Sequence, residues 1–284
     1  PDGTITTVAG AWSGGSNEDG IPALEADLVA TNIAVAKDGT LYIARGHRIR
    51  RVTPDGIIST FAGTGSRPNW SNPVLDGVPA TQSPLNEPNG VAVGPDGSVY
   101  IADTRNNRVR KVGLDGIITT VAGSGNWGFI EEGGVATQQS IRWPSGVEVS
   151  KDGTIYIAAY DNKKLLRVST NGIITTVAGT GEIGFSGDGG AATRAKVRAF
   201  DVALSPEGGI YVADSDWYTS NYRIRIIGSA QPGLGSYGVT LSSIDGTELF
   251  VFDDSGRHLR TIDSLSGAER FAFTYDDNGL LNRV

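Results

Sequence analysis

One eight-residue phrase occurs four times in the chain, and it constrains the fold more than any other feature. The copies read GTITTVAG, GIISTFAG and twice GIITTVAG, and they end at Gly10, Gly63, Gly123 and Gly179. The intervals between these glycines are 53, 60 and 56 residues (63 − 10, 123 − 63 and 179 − 123). A drifting period of this size predicts an array in which each repeat is one supersecondary unit and the loops absorb differences in length.

Each repeat predicts four short antiparallel strands. Residues 90–123 read GVAVGPDG, SVYIADTRNN, RVRKVGLDG and IITTVAG, and these β-branched or alternating pieces are separated by Asp-Gly or Asn-Asn turn signals. Residues 32–63 and 146–179 follow the same order, whereas residues 201–228 lack a fourth piece of their own. The pattern predicts an all-β chain that folds as a β-propeller with four-stranded antiparallel blades.

The two ends of the repeat region predict its limits. Residues 1–10 supply a fourth strand with no strands before it, which favours a role in completing the last blade and protecting its edge. After residue 228 the phrase is absent, although strand and turn signals continue. We therefore predict propeller repeats over 1–228, with units ending near 63, 123, 179 and 228, and an atypical blade or the beginning of another β-structure over 229–284.

Composition excludes several classes of function. The net charge of −7 and the pI near 4.9 disfavour a nucleic-acid partner, because phosphate binding needs clustered cations. The absence of Cys excludes disulfides, a thiolate nucleophile and a Cys-ligated metal. With only His47 and His258 in the chain, a metal site built from several histidines is excluded. No apolar run approaches the roughly 20 residues that span a bilayer, so no membrane insertion is predicted.

The repeat resembles a known one. Pro88 to Val112 reads PNGVAVGPDGSVYIADTRNNRVRKV, looser copies surround Pro144 and Asp201, and Ile174 to Gly190 adds ITTVAGTGEIGFSGDGG. These residues resemble the NHL repeat, in the form found in bacterial secreted proteins and in teneurins. The resemblance covers roughly residues 1–228.

The C-terminal residues carry a second resemblance. The segment ELFVFDDSGRHLRTIDSLSGAERFAFTYDDNGLL is similar to the YD repeats that follow the propeller in teneurins and in bacterial teneurin-like or Rhs-type proteins. Together the two resemblances imply an NHL propeller packed against a YD-repeat β-shell, on a cell surface or in a secreted protein. In this family the propeller is a recognition module, and a bacterial source is expected.

Acidic residues recur in the loops between repeats. Asp19, Asp76, Glu132 and Asp188 each precede a glycine at equivalent positions of successive units. Such equivalence is typical of a turn or loop anchor, whereas a catalytic metal site brings different residues together. A loop calcium site remains the alternative interpretation, because Ca²⁺ binds carboxylates and carbonyls.

Aromatic residues and one carboxylate are the candidate ligand-binding residues. Trp12, Trp70 and Trp127 follow an Ala-Gly in the long loops, where Phe185 takes the corresponding place in the last unit. Loop packing explains these rings unless they are exposed on one face, in which case they suit sugar or protein contacts.

Three further candidates break the repeat. Trp217 and Tyr218 lie in a lengthened turn and are candidates for a protruding contact. Glu148 stands where other units have alanine, and it is expected to line the central channel with a water or an arginine partner.

These observations predict a non-enzymatic, extracellular scaffold, secreted or on the cell surface, that binds a protein or a glycan. No catalytic residue is assigned, and no cofactor is expected apart from the calcium alternative. A calcium-dependent hydrolase or lactonase stays open, and it would require Glu148, Asp103 and Asp214 to converge near the channel. A structural role in plugging a YD-repeat shell of the same polypeptide also stays open.

Overall fold

The computed structural model describes residues 3–12, 14–69, 73–206, 208–216, 221–228, 240–243, 248–252, 257–263, 269–276 and 281–283. These residues form an all-β structure with six single-turn 3₁₀ helices. The chain divides into two compact units, residues 1–225 and residues 226–284. No helix in the described ranges is long and apolar enough to cross a membrane.

The first unit is built from antiparallel blades, numbered here in chain order. Blade 1 contains β2 (Asn32–Val35), β3 (Leu41–Arg45), β4 (Arg48–Val52) and β5 (Ile57–Ala62), with the short β1 (Ile21–Pro22) paired to the outer edge of β5. Blade 2 contains β7 (Gly90–Val93), β8 (Val99–Asp103), β9 (Arg108–Val112) and β10 (Ile117–Ala122), with β6 (Val78–Pro79) paired to β10. Blade 3 contains β11 (Pro144–Val149), β12 (Ile155–Ala159), β13 (Lys164–Val168) and β14 (Ile174–Ala178). Blade 4 contains β15 (Ala199–Leu204), β16 (Ile210–Asp216) and β17 (Asn221–Ile227). These four blades confirm the predicted NHL-type propeller architecture.

The six 3₁₀ helices fall into two groups. One group lies in the long loops before each blade: η1 (Ala23–Glu25), η2 (Ala80–Gln82), η4 (Ala136–Gln138) and η6 (Ala192–Arg194). The other group connects the second and third strands of a blade: η3 (Thr104–Asn106) in blade 2 and η5 (Tyr160–Asn162) in blade 3.

The hydrophobic core lies between neighbouring blades. The innermost strands β2, β7, β11 and β15 contact one another in chain order. Val91 on β7, Val147 on β11 and Val202 on β15 are all nearly fully buried. Loop residues complete the same clusters, because Leu85 packs between blades 1 and 2 and Ile141 packs between blades 2 and 3. The long loops are therefore part of the folded core.

The repeated phrase forms the outer strand of a blade and its exit. In β10, Ile118 and Ala122 are fully buried, while the hydroxyl of Thr120 between them bonds Asp76 in the loop before the blade. The phrase ends in glycine because Gly123 has a φ of +88° and a Cβ there would overlap the carbonyl oxygen of Asn107. Gly63 and Gly179 meet the equivalent carbonyl oxygens of blades 1 and 3 in the same way.

The N-terminal copy of the phrase does not form the predicted closing strand. Residues 4–8 lie in no strand, Ile5 is fully exposed, and the described part of blade 4 has three strands. The reason lies in how the next residues are bonded: the amides of Gly10 and Ala11 donate to the carbonyls of Ala23 and Ala26 in the first loop. These bonds hold the N-terminal copy at blade 1.

The second unit contains a separate antiparallel sheet. Its strands are β18 (Thr240–Ser242), β19 (Glu248–Phe252), β20 (His258–Asp263) and β21 (Glu269–Ala272), in that spatial order, followed by a hairpin of β22 (Thr274–Tyr275) and β23 (Leu281–Arg283). The ring of His258 packs among the rings of Phe250, Phe252 and Phe273. This histidine therefore serves the packing of its own sheet.

Candidate functional site

Four long loops follow the four copies of the repeated phrase, and each is fastened to its phrase-ending glycine in the same way. In each loop the amide of the phrase-ending glycine donates to the carbonyl of the alanine that begins the loop's 3₁₀ helix: Gly10 to Ala23 (2.8 Å), Gly63 to Ala80 (2.9 Å), Gly123 to Ala136 (2.9 Å) and Gly179 to Ala192 (3.1 Å). Three of these alanines also donate to the turn before an outer strand: Ala23 to Gly56 (2.7 Å), Ala80 to Gly116 (2.9 Å) and Ala136 to Gly172 (2.9 Å). The backbones of the first three loops are therefore bonded at two places, to the phrase-ending glycine and to a turn of a blade, which makes these loops preorganised surface elements.

An acidic residue in each loop bonds that loop to a strand of a blade. Asp76 accepts hydrogen bonds from Arg110 (2.8 Å) and from the hydroxyl of Thr120 (3.1 Å) in the repeated phrase. Glu132 bonds the equivalent Thr176, accepting from its amide (2.8 Å) and from its hydroxyl. The third loop thus follows the plan of the second, with a carboxylate bonded to the outer strand.

Asp19 repeats this arrangement, and Asp188 keeps only the contact with an arginine of the third strand. Asp19 accepts from the amide of Thr60 (2.8 Å) and lies 3.1 Å from a guanidinium nitrogen of Arg50. Asp188 accepts from Arg225 at 2.6 Å. Every one of the four carboxylates therefore has a cation beside it in its own blade, because Glu132 also lies 3.4 Å from the ammonium of Lys164.

This geometry bears on the calcium interpretation. Ca²⁺ takes six to eight oxygen ligands, and a neighbouring arginine or lysine opposes it. Within the described ranges, no group of three or more His, Asp or Glu side chains is placed to hold a metal ion. The four carboxylates are arranged as loop anchors, and calcium binding stays a prediction.

Two tryptophans predicted as ligand-binding residues are exposed at the loop end of the blades. Trp12 is fully exposed, and Trp127 is 73% exposed with the guanidinium of Arg142 4.6 Å from its ring centre. Phe185 is partly covered by Arg223, whose guanidinium lies 3.9 Å from the ring. Trp70, Trp217 and Tyr218 lie outside the described residues.

Sequence reasoning missed one aromatic residue and misaligned another. Phe129 is 97% exposed in the third loop, two residues after Trp127. Counting from the phrase-ending glycines, Phe185 lies six residues on, as Phe129 does, whereas Trp127 corresponds to Ile183. The shared Gly-Phe in WGFI and IGFS was the signal that identifies Phe129. We call the loop end of the blades, where Trp12, Trp127 and Phe129 are exposed, the loop face.

Glu148 lies half-buried on β11, and its neighbour is a carboxylate instead of the expected arginine. Its Oε1 accepts from the amide of Val149 (3.0 Å). Burial raises its pKa, and the nearby Asp201 on β15 raises it further. Burial also raises the pKa of Asp201. Two carboxylates therefore share the contact between the inner strands of blades 3 and 4, beside Gly146, where a Cβ would overlap the Asp201 carboxylate.

Asp103 and Asp214 do not converge on this pair. Each is fully buried, Asp103 as the last residue of β8 and Asp214 two residues before the end of β16, and each accepts a hydrogen bond from a loop amide: Asp103 from Asn86 (2.8 Å) and Asp214 from Arg198 (2.9 Å). Burial raises the pKa of Asp103 to about 6. These two residues join a loop to a blade, which is a structural role.

Comparison with known proteins gives the repeat its family. Residues 85–112 match the model of the NHL repeat, and residues 135–228 match the model of the teneurin NHL domain. These are NHL repeats of the teneurin type. Mouse teneurin-4 is 34% identical over 294 residues, covering 94% of this chain, and mouse teneurin-1 is 32% identical over 291 residues. The chain spans about a tenth of the length of these teneurins.

Solved structures include neighbours of this fold. A protein of unknown function from Bacteroides thetaiotaomicron superposes with a TM-score of 0.53 at 20% identity, over 69% of this chain and 46% of that one. A gluconolactonase from Xanthomonas campestris gives a TM-score of 0.44 at 14% identity, which is too distant to carry an argument about activity. The bacterial source and the YD-repeat character of the C-terminal unit stay predictions.

Proposed function

We propose that this teneurin-type NHL propeller is a non-catalytic recognition scaffold that binds a protein or a glycan through its loop face. One observation carries the proposal: loops bonded to the blades through their backbones display Trp12, Trp127 and Phe129 to solvent. A fixed loop loses little conformational entropy on binding, and exposed aromatic rings supply the anchors that dominate interface energies.

The setting of the proposal is a larger protein on the outside of a cell. The chain matches about a tenth of each teneurin, and a second β-unit follows the blades. We propose that this chain is likewise one module of a secreted or cell-surface protein, and that residues 229–284 begin a YD-repeat shell of the same polypeptide. No nucleic acid or membrane insertion is part of this function.

The loop face is tested by a binding comparison between opposite ends of the blades. The Trp12→Ala/Trp127→Ala variant removes two rings from the loop face. Leu114→Ala removes an equally exposed apolar side chain from the turn between β9 and β10, at the opposite end of the strands. The fluorescently labelled 284-residue chain is applied to intact cells and to a glycan array. We expect the tryptophan variant to lose binding by about tenfold or more, since an aromatic anchor contributes at least about 2 kcal/mol.

The outcomes separate the proposed roles. Binding by wild type and Leu114→Ala but not by the tryptophan variant supports recognition through the loop face. Equal binding by all three refutes it. If wild type binds neither cells nor glycans, the structural role in a YD-repeat shell replaces it.

A calcium-dependent hydrolase or lactonase is the second candidate, because Glu148 and Asp201 place two carboxylates with raised pKa values on neighbouring inner strands. Melting curves are recorded with chelator and with about 5 mM Ca²⁺, a concentration that saturates weak extracellular sites. The scaffold proposal expects identical curves. A higher melting temperature in calcium that is abolished by Glu148→Gln favours the hydrolase.

A further inference from the structure

Comparison of the blades with one another shows where blade 1 departs from the repeat. In blades 2 and 4 an aspartate late in the second strand lies beside an arginine of the third strand. In blade 2 this pair is Asp103 and Arg110, with 3.7 Å between the charged groups. In blade 4 it is Asp214 and Arg225, at 3.3 Å. Blade 3 replaces both charges with the buried, apolar Ala159 and Leu166.

Blade 1 replaces the acid with a base. Arg45 stands at the aspartate position and Arg50 keeps the arginine position. Arg50 is almost completely buried, its Nη1 donates to the carbonyl of Asn17 (3.0 Å) and its Nε has no hydrogen-bond partner. Burial lowers the pKa of Arg50, and repulsion from Arg48 and Arg45 acts in the same direction. Negative charge beside this group would therefore be stabilising.

The same blade also has room at this position. In blades 2 and 3 four residues, including η3 or η5, connect the second and third strands, and Thr104 and Asn106 of η3 are buried there. In blade 1 the connection is only Gly46-His47. A cavity of about 510 Å³ lies at this connection. Its polar lining includes Asn17, Thr31, Arg45, His47, Arg48 and Arg50.

The charges around the cavity do not balance. Arg45 pairs with Asp27 at 2.6 Å, and Arg50 lies 3.1 Å from Asp19. Arg48 donates only to the carbonyl of Thr64 (3.3 Å), and its Nε has no hydrogen-bond partner. Three guanidiniums thus face two carboxylates, both of which are partly exposed. The corresponding residues of blade 2 are two arginines and two aspartates, which cancel.

We propose that the cavity at the β3–β4 connection binds an oxyanion, a carboxylate, sulfate or phosphate group carried by a ligand. Guanidiniums bind such groups through paired, charge-assisted hydrogen bonds. The volume is within the range of small-ligand pockets. The cavity opens at the end of the blades where the loops leave, so this inference deepens the proposed recognition function by naming a charged group on the ligand, and it rests on that function for its biological meaning.

The test gives blade 1 the aspartate that blades 2 and 4 have at the position of Arg45. Arg45→Asp restores the pair found in blades 2 and 4, so this variant keeps a favourable partner for Arg50 and is expected to fold. Arg167→Asp makes the same charge change on the exposed face of β13 and is the matched control. Binding of glucuronate, inorganic sulfate and inorganic phosphate to the 284-residue chain is measured by calorimetry at constant ionic strength.

We expect saturable binding of at least one anion to wild type and to Arg167→Asp. In Arg45→Asp the affinity falls by about tenfold or more, the equivalent of one hydrogen bond to a charged group. Binding of glucuronate alone identifies a carboxylate ligand, and binding of sulfate or phosphate alone identifies those groups. No saturable binding, or equal affinities in all three proteins, overturns the proposal.

This result is independent of the loop-face test. If Arg45→Asp loses the anion but still binds cells through its tryptophans, the pocket stands as a separate site. If the anion binds and no cell or glycan does, the pocket stands and the recognition function fails.

Discussion

Blade 2 contains a buried charge pair, and blade 3 shows which apolar residues can replace it. Asp103 and Arg110 are both completely buried, with 3.7 Å between their charged groups. Blade 3 carries Ala159 and Leu166 in their place, and both are buried. We predict that the double substitution Asp103→Ala/Arg110→Leu is tolerated far better than either single substitution.

The expected cost in unfolding free energy depends on which buried charge each substitution leaves unpaired. Asp103→Ala leaves a buried guanidinium without this partner, and Arg110→Leu leaves a buried carboxylate, so each is expected to cost about 3–5 kcal/mol of unfolding free energy. The double variant leaves neither charge. It also loses the pair between Arg110 and the half-exposed Asp76, which contributes at most about 1 kcal/mol. We expect a total cost within about 1–2 kcal/mol.

The loop amide that donates to Asp103 has another acceptor available in the double variant. In blade 3 the amide of Arg142, which corresponds to Asn86, donates to the side-chain oxygen of Asn162 at 2.6 Å. Asn106 occupies the place of Asn162 in blade 2 and now donates to Asp103. Rotation of its amide lets Asn106 accept from Asn86 in the double variant, so no buried donor is left unpaired.

Urea unfolding of the wild type, the two single variants and the double variant completes the cycle. The account predicts that the double variant is more stable than both single variants, with a coupling energy of several kcal/mol. A double variant that is as unstable as the sum of the singles refutes the argument that blades 2 and 3 are alternative solutions for the same site.

Three further predictions concern the repeated phrase and pH. Gly123→Ala is expected to cost at least about 2 kcal/mol, because a positive φ is combined with an overlapping carbonyl, whereas Gly116→Ala has open space and costs about 1 kcal/mol; urea unfolding measures both. Thr120→Val removes the hydroxyl that holds the second loop and should cost about 1 kcal/mol, while the exposed Thr119→Val changes little, as melting curves will show. Folding raises the pKa of Asp103 from 3.8 to about 6, so the folded chain binds a proton at this carboxyl more tightly than the unfolded chain does. The free energy of unfolding therefore declines as pH rises between these two values. The Asp103→Ala/Arg110→Leu variant should lack this contribution to the pH dependence.

Much of the propeller could be predicted from the sequence because its information is local and repeated. Residues 90–123 were divided into four strands at turn signals, and β7 to β10 lie within those divisions. The position of Asp76 before a loop glycine predicted an anchor, and the structure supplies its partners, Arg110 and Thr120. Repetition revealed both features because a local pattern that recurs in register has one structural cause.

Features that depend on pairing across the fold were missed. The two-residue strands β1 and β6 are too short to show a periodicity, and they exist because the loops dock on β5 and β10. The N-terminal phrase has the composition of an outer strand, yet bonds to the first loop hold it elsewhere. The pocket of blade 1 could be predicted only by considering Arg45, Arg50 and the shortened Gly46-His47 connection together.

Covalent footprinting of the bound chain shows which end of the blades contacts the ligand. The 284-residue chain is oxidised by hydroxyl radicals free and while bound to cells or to a glycan, and its side chains are read by mass spectrometry. We predict that Trp12, Trp127 and Phe129 become protected while Leu114, at the other end of the blades, is oxidised equally in both states. Protection of Leu114 with unchanged oxidation of the three aromatic rings would contradict recognition through the loop face.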